Sequence, residues 1–318
     1  MTTYLIQRIL QSMLTLLFLT IIAFTFLSLA PGDAIDAMIP PDSAMTAEEL
    51  ARQREALGLD RPVVIQYLAW VGQVVKGNLG FSLIFRRPVI LMICERLWPT
   101  VQLGILAIAV STLVGIAAGI FSGLNQYTVL DQLVSILSYG AFCIPNFYLG
   151  LMMIYVFSVK LKWLPSAGMF TPGAPFTLAD RIRHLILPVA VLSVQFIGIY
   201  ARQTRSAILE VLNAEYVRTA RAKGLVERLV TVRHILPNAA IPVITVIGTS
   251  LPLVVTGALV TEMVFSWSGM GVLTVNSITN RDYPLLMGIV LLMGVAVSLA
   301  NLVVDIAYAI IDPRIRYR

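Results

Sequence analysis

Apolar residues in this chain fall in long unbroken runs rather than at every second position or along one helical stripe, the pattern of segments that meet hydrocarbon on most sides. Six runs can be drawn: Ile9 to Ala30, then about Trp98 to Leu124, Leu133 to Val159, Leu185 to Ala201, Ala239 to Thr261, and Pro284 to Ile311. Each is long enough to cross a bilayer as a helix, for which roughly 17–25 residues suffice. The first follows a single Arg8, exceeds the h-region of a signal peptide, and is expected to remain as a helix, with cleavage as the alternative. Pro31 and Gly32 of "APGD" end it. Pro145, Pro188, Pro242 and Pro252 lie inside later runs. Neighbouring helices can satisfy the carbonyls a proline frees in a membrane, so kinks are expected there. The fold class predicted is all-α: a polytopic membrane protein with six transmembrane helices.

Polar residues gather between these runs. In the segment 31–97, Thr46 with Glu49 three residues on forms a capping box before "AEELARQREAL", and Asp60 and Pro62 open "PVVIQYLAWVGQVV". Two short outer helices are expected. In the second, Val64, Tyr67, Leu68, Val71, Val74 and Val75 recur at helical spacing, which suits either a packed lid or a platform for an outside partner. The longest charged stretch, "EYVRTARAKGLVERLVTVRHILPN", runs from Glu215 to Asn238 between the fourth and fifth spans. Asn213 is a plausible N-cap, Glu215 stands in the first turn, Arg218, Arg221 and Lys223 follow, and Gly224 suits the left-handed turn that ends a helix of about ten residues. Leu212, Tyr216 and Ala220 share one narrow stripe. Such a helix suits docking into a groove; the alternative is an interfacial helix holding anionic lipid.

Composition narrows the function classes. Of 318 residues 58% are hydrophobic and 13% charged, and the mean hydropathy is +0.85, which excludes an ordinary soluble domain. The formal net charge of +6 is no sign of nucleic acid, because the basic residues sit at span ends and act as topology signals. With both termini inside, Lys and Arg outside the long segment 31–97 favour the cytoplasmic side, and long translocated segments escape that bias. Trp70, Trp98, Trp163 and Trp267 then all fall on the outer side, where indoles can sit at headgroup depth. Cys94 and Cys143 form no disulfide framework, and His184 and His234 lie at opposite ends of separate spans with no ligand cluster, so no metal site is expected. Gly115, Gly119 and Gly123 make a small-xxx-small series suited to close helix packing. Glu262 and Asp305 carry charge that is costly in lipid; Glu262 could line an outer gate, whereas Asp305, nearer the inner end, could pair with an Arg. An intramembrane protease is disfavoured, since the Ser of "WSGMG" has no histidine at matching depth. A channel lacks a ring-forming acidic filter. A proton-coupled carrier is the stronger rival, although no inverted repeat is visible.

"RTARAKG" followed by "HILPN" resembles the cytoplasmic loop of bacterial ABC importer permeases, patterned Glu-Ala-Ala, three residues, Gly, nine residues, Ile, one residue, Leu-Pro. Ala220, Gly224, Leu236 and Pro237 fit; Arg218, Thr219 and His234 stand where Glu, Ala and Ile would be. Those departures, with "RRPV" at Arg86, "IPNFYLGL" at Ile144, "IYARQTRSAILEVLNAEYVRTARAKGL" at Ile199, "NRDYPLLMGIVLL" at Asn280 and "DPRIRY" at Asp312, resemble the oligopeptide, dipeptide and nickel branch across essentially the whole chain. The resemblance implies a coupling helix that sits in a cleft of an ATPase, carried here by Glu215, Tyr216, Arg218, Thr219, Ala220, Arg221, Lys223 and Gly224. Glu262, Trp267 and Asp305 are then candidates for the pathway or its gate. It also implies a homologous second permease, two cytoplasmic ATPase subunits, an extracytoplasmic binding protein that delivers the solute, and a bacterial inner-membrane location. Peptides are the expected solute, with nickel, glutathione or oligosaccharide as alternatives. The chain has no GxxxxGK[ST] phosphate loop, so it is expected to bind no cofactor directly, ATP and Mg being held by the partner subunits. Its expected organisation is a first transmembrane helix over 1–30, an extracytoplasmic segment over 31–97 and a five-helix core over 98–318 containing the coupling loop 202–238.

Overall fold

A computed structural model describes residues 2–29, 48–49, 52, 54–55, 58, 60–256 and 259–311. Among them the chain is almost wholly helical, the one extended pairing being an isolated bridge between Phe81 and Pro88. Five helices are long and apolar enough to cross a membrane, and the number reaches six if one sharply bent pair counts as a single span.

In chain order these are α1 (Thr2–Leu29), α2 (Val63–Val75), α3 (Val89–Leu124), α4 (Val129–Cys143) and α5 (Asn146–Met153), the last continued by a π-helical segment Ile154–Lys160. Then come α6 (Leu178–Leu212), α7 (Glu215–Ala222), α8 (Glu227–Val230) with a π-helical turn Thr231–Ile235, α9 (Leu236–Thr256), α10 (Leu259–Val264), α11 (Met270–Thr279) and α12 (Tyr283–Ile311). They fall into two compact units.

One unit joins Met1–Trp98 to Gly269–Leu299. Its core is Leu79, Val89, Met92, Ile93, Met270, Leu273, Leu285 and Ile289. Asp282, wholly buried, organises the loop ahead of α12: Ser82 Oγ and the Leu83 and Leu285 amides donate to its carboxylate. A buried carboxylate is tolerable there because donors surround it. α2 meets α1 through Tyr67, which shares a hydrogen bond of 3.0 Å with Thr20 and packs edge-on against Phe24. Only part of the apolar stripe expected on α2 is covered: Tyr67, Val71 and Val74 are half-buried, while Val64, Leu68 and Val75 are exposed. Thr46 and most of the helix expected after it lie outside the described residues, as does "DPRIRY".

The other unit joins Pro99–Ser268 to Ala300–Arg318 and is built around α6, which packs against α4, α5, α9 and α10. Gly115, Gly119 and Gly123 of α3 face α6 so closely that a Cβ at each would lie 2.8, 2.5 and 2.9 Å from the Cβ atoms of Tyr200, Thr204 and Ile208. The small-residue series is therefore a packing seam, as its spacing suggested.

The third span bends at Pro145, where a kink was expected, but far more sharply than a kink within one helix. It is broken between α4 and α5–Lys160, whose axes differ by 104°. Ile144 is extended at φ −94°, ψ 117°, as the ring of a following proline demands, and Pro145 starts a new helix. The fourth span is longer than the apolar run 185–201, because Arg181 and Arg205 find partners that let the helix continue through both polar ends. Pro188, Pro242 and Pro252 sit inside continuous helices.

Candidate functional site

α7 hangs from the end of α6 by a two-residue link. The expected N-cap at Asn213 is not observed: Asn213 closes α6, its amide donating to the Leu209 carbonyl, and Ala214 in extended conformation precedes α7 without a side-chain cap. Asparagine serves either end of a helix, and here the stronger demand is the terminating carbonyl of the long one. The stripe differs too. Val217 and Ala220 are buried against Ala207, Ile208, Val230, Ile235, Ala239 and Val243, whereas Tyr216 remains exposed. The helix is thus seated on the C-terminal end of α6 and the N-terminal end of α9 by two small apolar side chains.

Its C-terminus is closed by backbone alone. The Gly224 amide donates to the Arg221 carbonyl at 2.9 Å and the Leu225 amide to the Ala220 carbonyl at 3.4 Å, a Schellman pair, with Gly224 at φ +78°. The left-handed turn read from the sequence is present. Arg221 then forms a bidentate pair with Glu227, 2.5 and 3.1 Å, which ties α7 to α8 across the turn; that hydrogen bonding raises the Arg221 guanidinium above its ordinary value. Glu215, Tyr216, Arg218, Thr219, Arg221, Lys223 and Gly224 are exposed, so seven of the eight residues expected to couple form one outward surface and Ala220 anchors it. Beyond α8 the helix widens into the π turn over Thr231–Ile235, just ahead of Pro237, which can donate no bond to the turn below.

Glu262 and Trp267 are brought together, deep inside their unit. Thr100 Oγ1 donates to Glu262 Oε1 at 2.6 Å, and the Trp267 amide donates to the Glu262 carbonyl at 2.7 Å. The indole Nε1 donates to the Pro99 carbonyl at 3.0 Å, and Arg181 stacks on the ring 4.3 Å from its centre while bonding Gln102 and the Met169 carbonyl. Trp267 is fully buried in protein, unlike the exposed Trp98 and Trp163, so it is no headgroup anchor. Its partners explain the difference: an indole whose one donor is satisfied gains by leaving water. Asp305 lies on α12 and is half-buried.

Besides Asp282, sequence reading missed a second buried carboxylate. Asp131 at the start of α4 accepts from Arg205 Nε and Nη2 at 2.7 and 2.9 Å, from the Tyr127 amide at 2.9 Å, and from Ser122 Oγ. It bolts the end of α3, the start of α4 and the C-terminal part of α6 together. Thr128, whose hydroxyl caps the Asp131 amide, was the local signal available.

Among the described residues no group of three or more potential metal ligands occurs.

The family model described as "Binding-protein-dependent transport system inner membrane component" matches residues 115–317, and its N-terminal companion matches residues 1–104. A putative peptide permease protein of Brucella suis is 47% identical over 317 residues, covering 99% of each chain. The oligopeptide transport system permease protein AppB of Bacillus subtilis is 40% identical and the glutathione transport system permease protein GsiC of Escherichia coli K12 38% identical, each over the full length of both chains. Among solved structures, the MetNI methionine ABC transporter in an inward-facing form matches 70% of this chain and 97% of its own with TM-score 0.55 at 16% identity, a likeness of fold. The chain belongs to the family of inner membrane components of binding-protein-dependent transport systems, and it is a permease subunit of an ABC importer.

Proposed function

We propose that this subunit forms half of the membrane pathway for peptides or similar small solutes, with a homologous second permease supplying the other half. α7 docks into one of two cytoplasmic ATPase subunits, which hold the ATP and Mg, and an extracytoplasmic binding protein delivers the solute. Both termini and the loop 202–238 then face the cytoplasm, and the segment 31–97 faces outward. The observation that carries the coupling role is the construction of α7: a helix closed by a Schellman turn and seated by Val217 and Ala220, whose exposed residues are polar or charged apart from Tyr216 and Ala222. A partner that grips this helix differently in two nucleotide states shifts the populations of the spans attached to it. Glu262 and Trp267 serve the outer gate through the packing they fix, and Asp305 serves the inner end of the last span.

Peptide as solute rests on the full-length likeness to proteins named as peptide permeases. Glutathione is the second reading, favoured by the equally complete likeness to GsiC; nickel or oligosaccharide would need another binding protein. The test is uptake of labelled tripeptide and of glutathione into proteoliposomes holding the whole assembly. Uptake is expected to require internal or external ATP on the ATPase side together with the binding protein, and to persist with a protonophore. Uptake that survives ATP removal but fails with the protonophore would make the chain part of a proton-coupled carrier.

A further inference from the structure

Arg202 is a cation on a membrane helix without a carboxylate partner among the described residues. It lies on α6 one turn from Arg205, whose charge is fully taken up by Asp131. Arg202 instead stacks on two aromatic side chains of α4, its guanidinium carbon 4.7 Å from the centre of the Tyr139 ring and 4.9 Å from that of Phe142. All three side chains are exposed in this subunit.

Two features separate this arrangement from a lysine or arginine reaching for lipid headgroups. First, the reach is inward. Arg205 meets α4 at Asp131, its third residue, whereas Arg202, three residues away, meets α4 eight to eleven residues further along. With α4 beginning and α6 ending at the cytoplasmic face, the Arg202 side chain slopes toward the bilayer interior, following the tilt of helical side chains toward the N-terminus. A snorkelling side chain slopes the other way. Second, the two rings engage the guanidinium through its charge, and no hydrogen bond from its N–H groups to a described residue competes with a ligand, so the edge that binds a planar oxyanion in two-point fashion is not taken up by protein. A charge so placed is costly against hydrocarbon and has to face a water-filled space or a partner. The polar line continues from it: Gln195, two turns up the same face of α6, accepts from the Asn146 amide at the break of the third span, and the Asn146 carbonyl oxygen is buried with no hydrogen-bond partner.

We propose that Arg202, held by Tyr139 and Phe142, is a solute-contacting residue that receives the carboxylate of the transported solute as it passes along the face shared by α4 and α6. The inference rests on the peptide-import reading above and deepens it: the pathway discriminates in favour of a free terminal carboxylate, independently of the binding protein.

The test compares trialanine with its C-terminal amide, using the whole assembly in proteoliposomes and dividing each uptake rate by the occupancy of the binding protein with that peptide. The ratio of free acid to amide is expected to fall roughly tenfold in Arg202→Gln, the loss of a charge-assisted hydrogen bond to an ionised group. Arg202→Lys, which keeps the charge without the planar fork, is expected to fall between the two and carries the test if the Gln variant does not assemble. An unchanged ratio, with both peptides slowed alike, overturns the proposal and leaves the permease reading standing. A defect that strikes both peptides alike and appears only when phosphatidylglycerol is added to phosphatidylcholine vesicles assigns Arg202 to a lipid phosphate and also overturns it. If the unaltered assembly imports neither peptide although its binding protein holds both, the peptide reading itself falls and takes this inference with it.

Discussion

Gly224 shows what one residue can decide. A side chain there meets no neighbour within 4 Å, so space is no obstacle; the obstacle is φ +78°, which a β-branched residue adopts only at a cost of about 1–3 kcal/mol. Gly224→Val is therefore expected to leave membrane insertion intact while loosening the Schellman turn, and with it the pairing of Arg221 to Glu227. Co-purification of the ATPase subunits and peptide uptake should both fall; normal uptake would remove the hinge role. Gly119 is the opposite case. Its would-be Cβ lies 2.5 Å from Thr204 Cβ and 2.6 Å from the Ala201 carbonyl oxygen, and backbone cannot step aside as a flexible side chain can. Gly119→Val is expected to cost about 1–3 kcal/mol by overpacking, lowering the midpoint of thermal aggregation in detergent. An unchanged midpoint would mean that α3 and α6 have slack. Both glycines were legible in the sequence, one from the charge order around it and one from its spacing. Asn213 was misread because its side chain suits either helix end, and only the chain direction after α6 shows which end it serves.

At the scale of elements, hydrophobic runs located the spans but not their lengths or bends. The run from Leu133 to Val159 is predominantly apolar, and composition cannot distinguish one straight helix from two that meet at 104°; Pro145 and the adjacent Asn146 were the marks of the break. α6 is 35 residues long, whereas its apolar run is about half that, because an arginine does not end a membrane helix when another element answers it. That answer comes from residues far away in sequence, such as Asp131 for Arg205 and Gln102 for Arg181, so single-chain pattern reading could not supply it. Asp131→Ala tests how much such an answer contributes. The carboxylate is buried and Arg205 only partly exposed, so removing the anion leaves a charge with nowhere to turn. The expected loss is about 3 kcal/mol, read as a lowered thermal midpoint of the detergent-solubilised complex, and the double variant Asp131→Ala with Arg205→Met is expected to recover part of it. Equal loss in single and double variants would show that Asp131 acts through Ser122 and the Tyr127 amide rather than through Arg205.

On the scale of the whole molecule, importing a solute requires that events outside and inside the membrane be linked although no single contact spans them. An external partner can influence the ATP cycle only by binding one conformation of the spans better than another; without that difference in affinity no shift in population follows, however tight the binding. In the orientation proposed above, the segment 31–97 offers a surface for such a partner. On α2, Val64, Leu68 and Val75 remain exposed on a helix fixed by Tyr67 to Thr20 and Phe24 of α1, so an anchored helix face keeps apolar positions uncovered. If this face receives the binding protein, deleting 47–75 is expected to abolish the stimulation of ATP hydrolysis by the solute-loaded binding protein. Basal hydrolysis is expected to stay near its starting level, because with α7 as the coupling helix it would depend on the ATPase subunits and their grip on that helix. The measurement is hydrolysis with and without loaded binding protein, on a deletion first shown to assemble with its partners. Loss of both rates in the assembled deletion would indicate that the segment supports basal hydrolysis as well, and retained stimulation would reduce it to a packed lid. A milder variant separates contact from folding: Leu68→Glu leaves the α2 backbone and its Tyr67 anchor in place but sets a charge on the exposed apolar face, where an apolar contact would have to desolvate it. Stimulation should then fall while the thermal midpoint holds, and a midpoint that falls with it would assign Leu68 to packing instead.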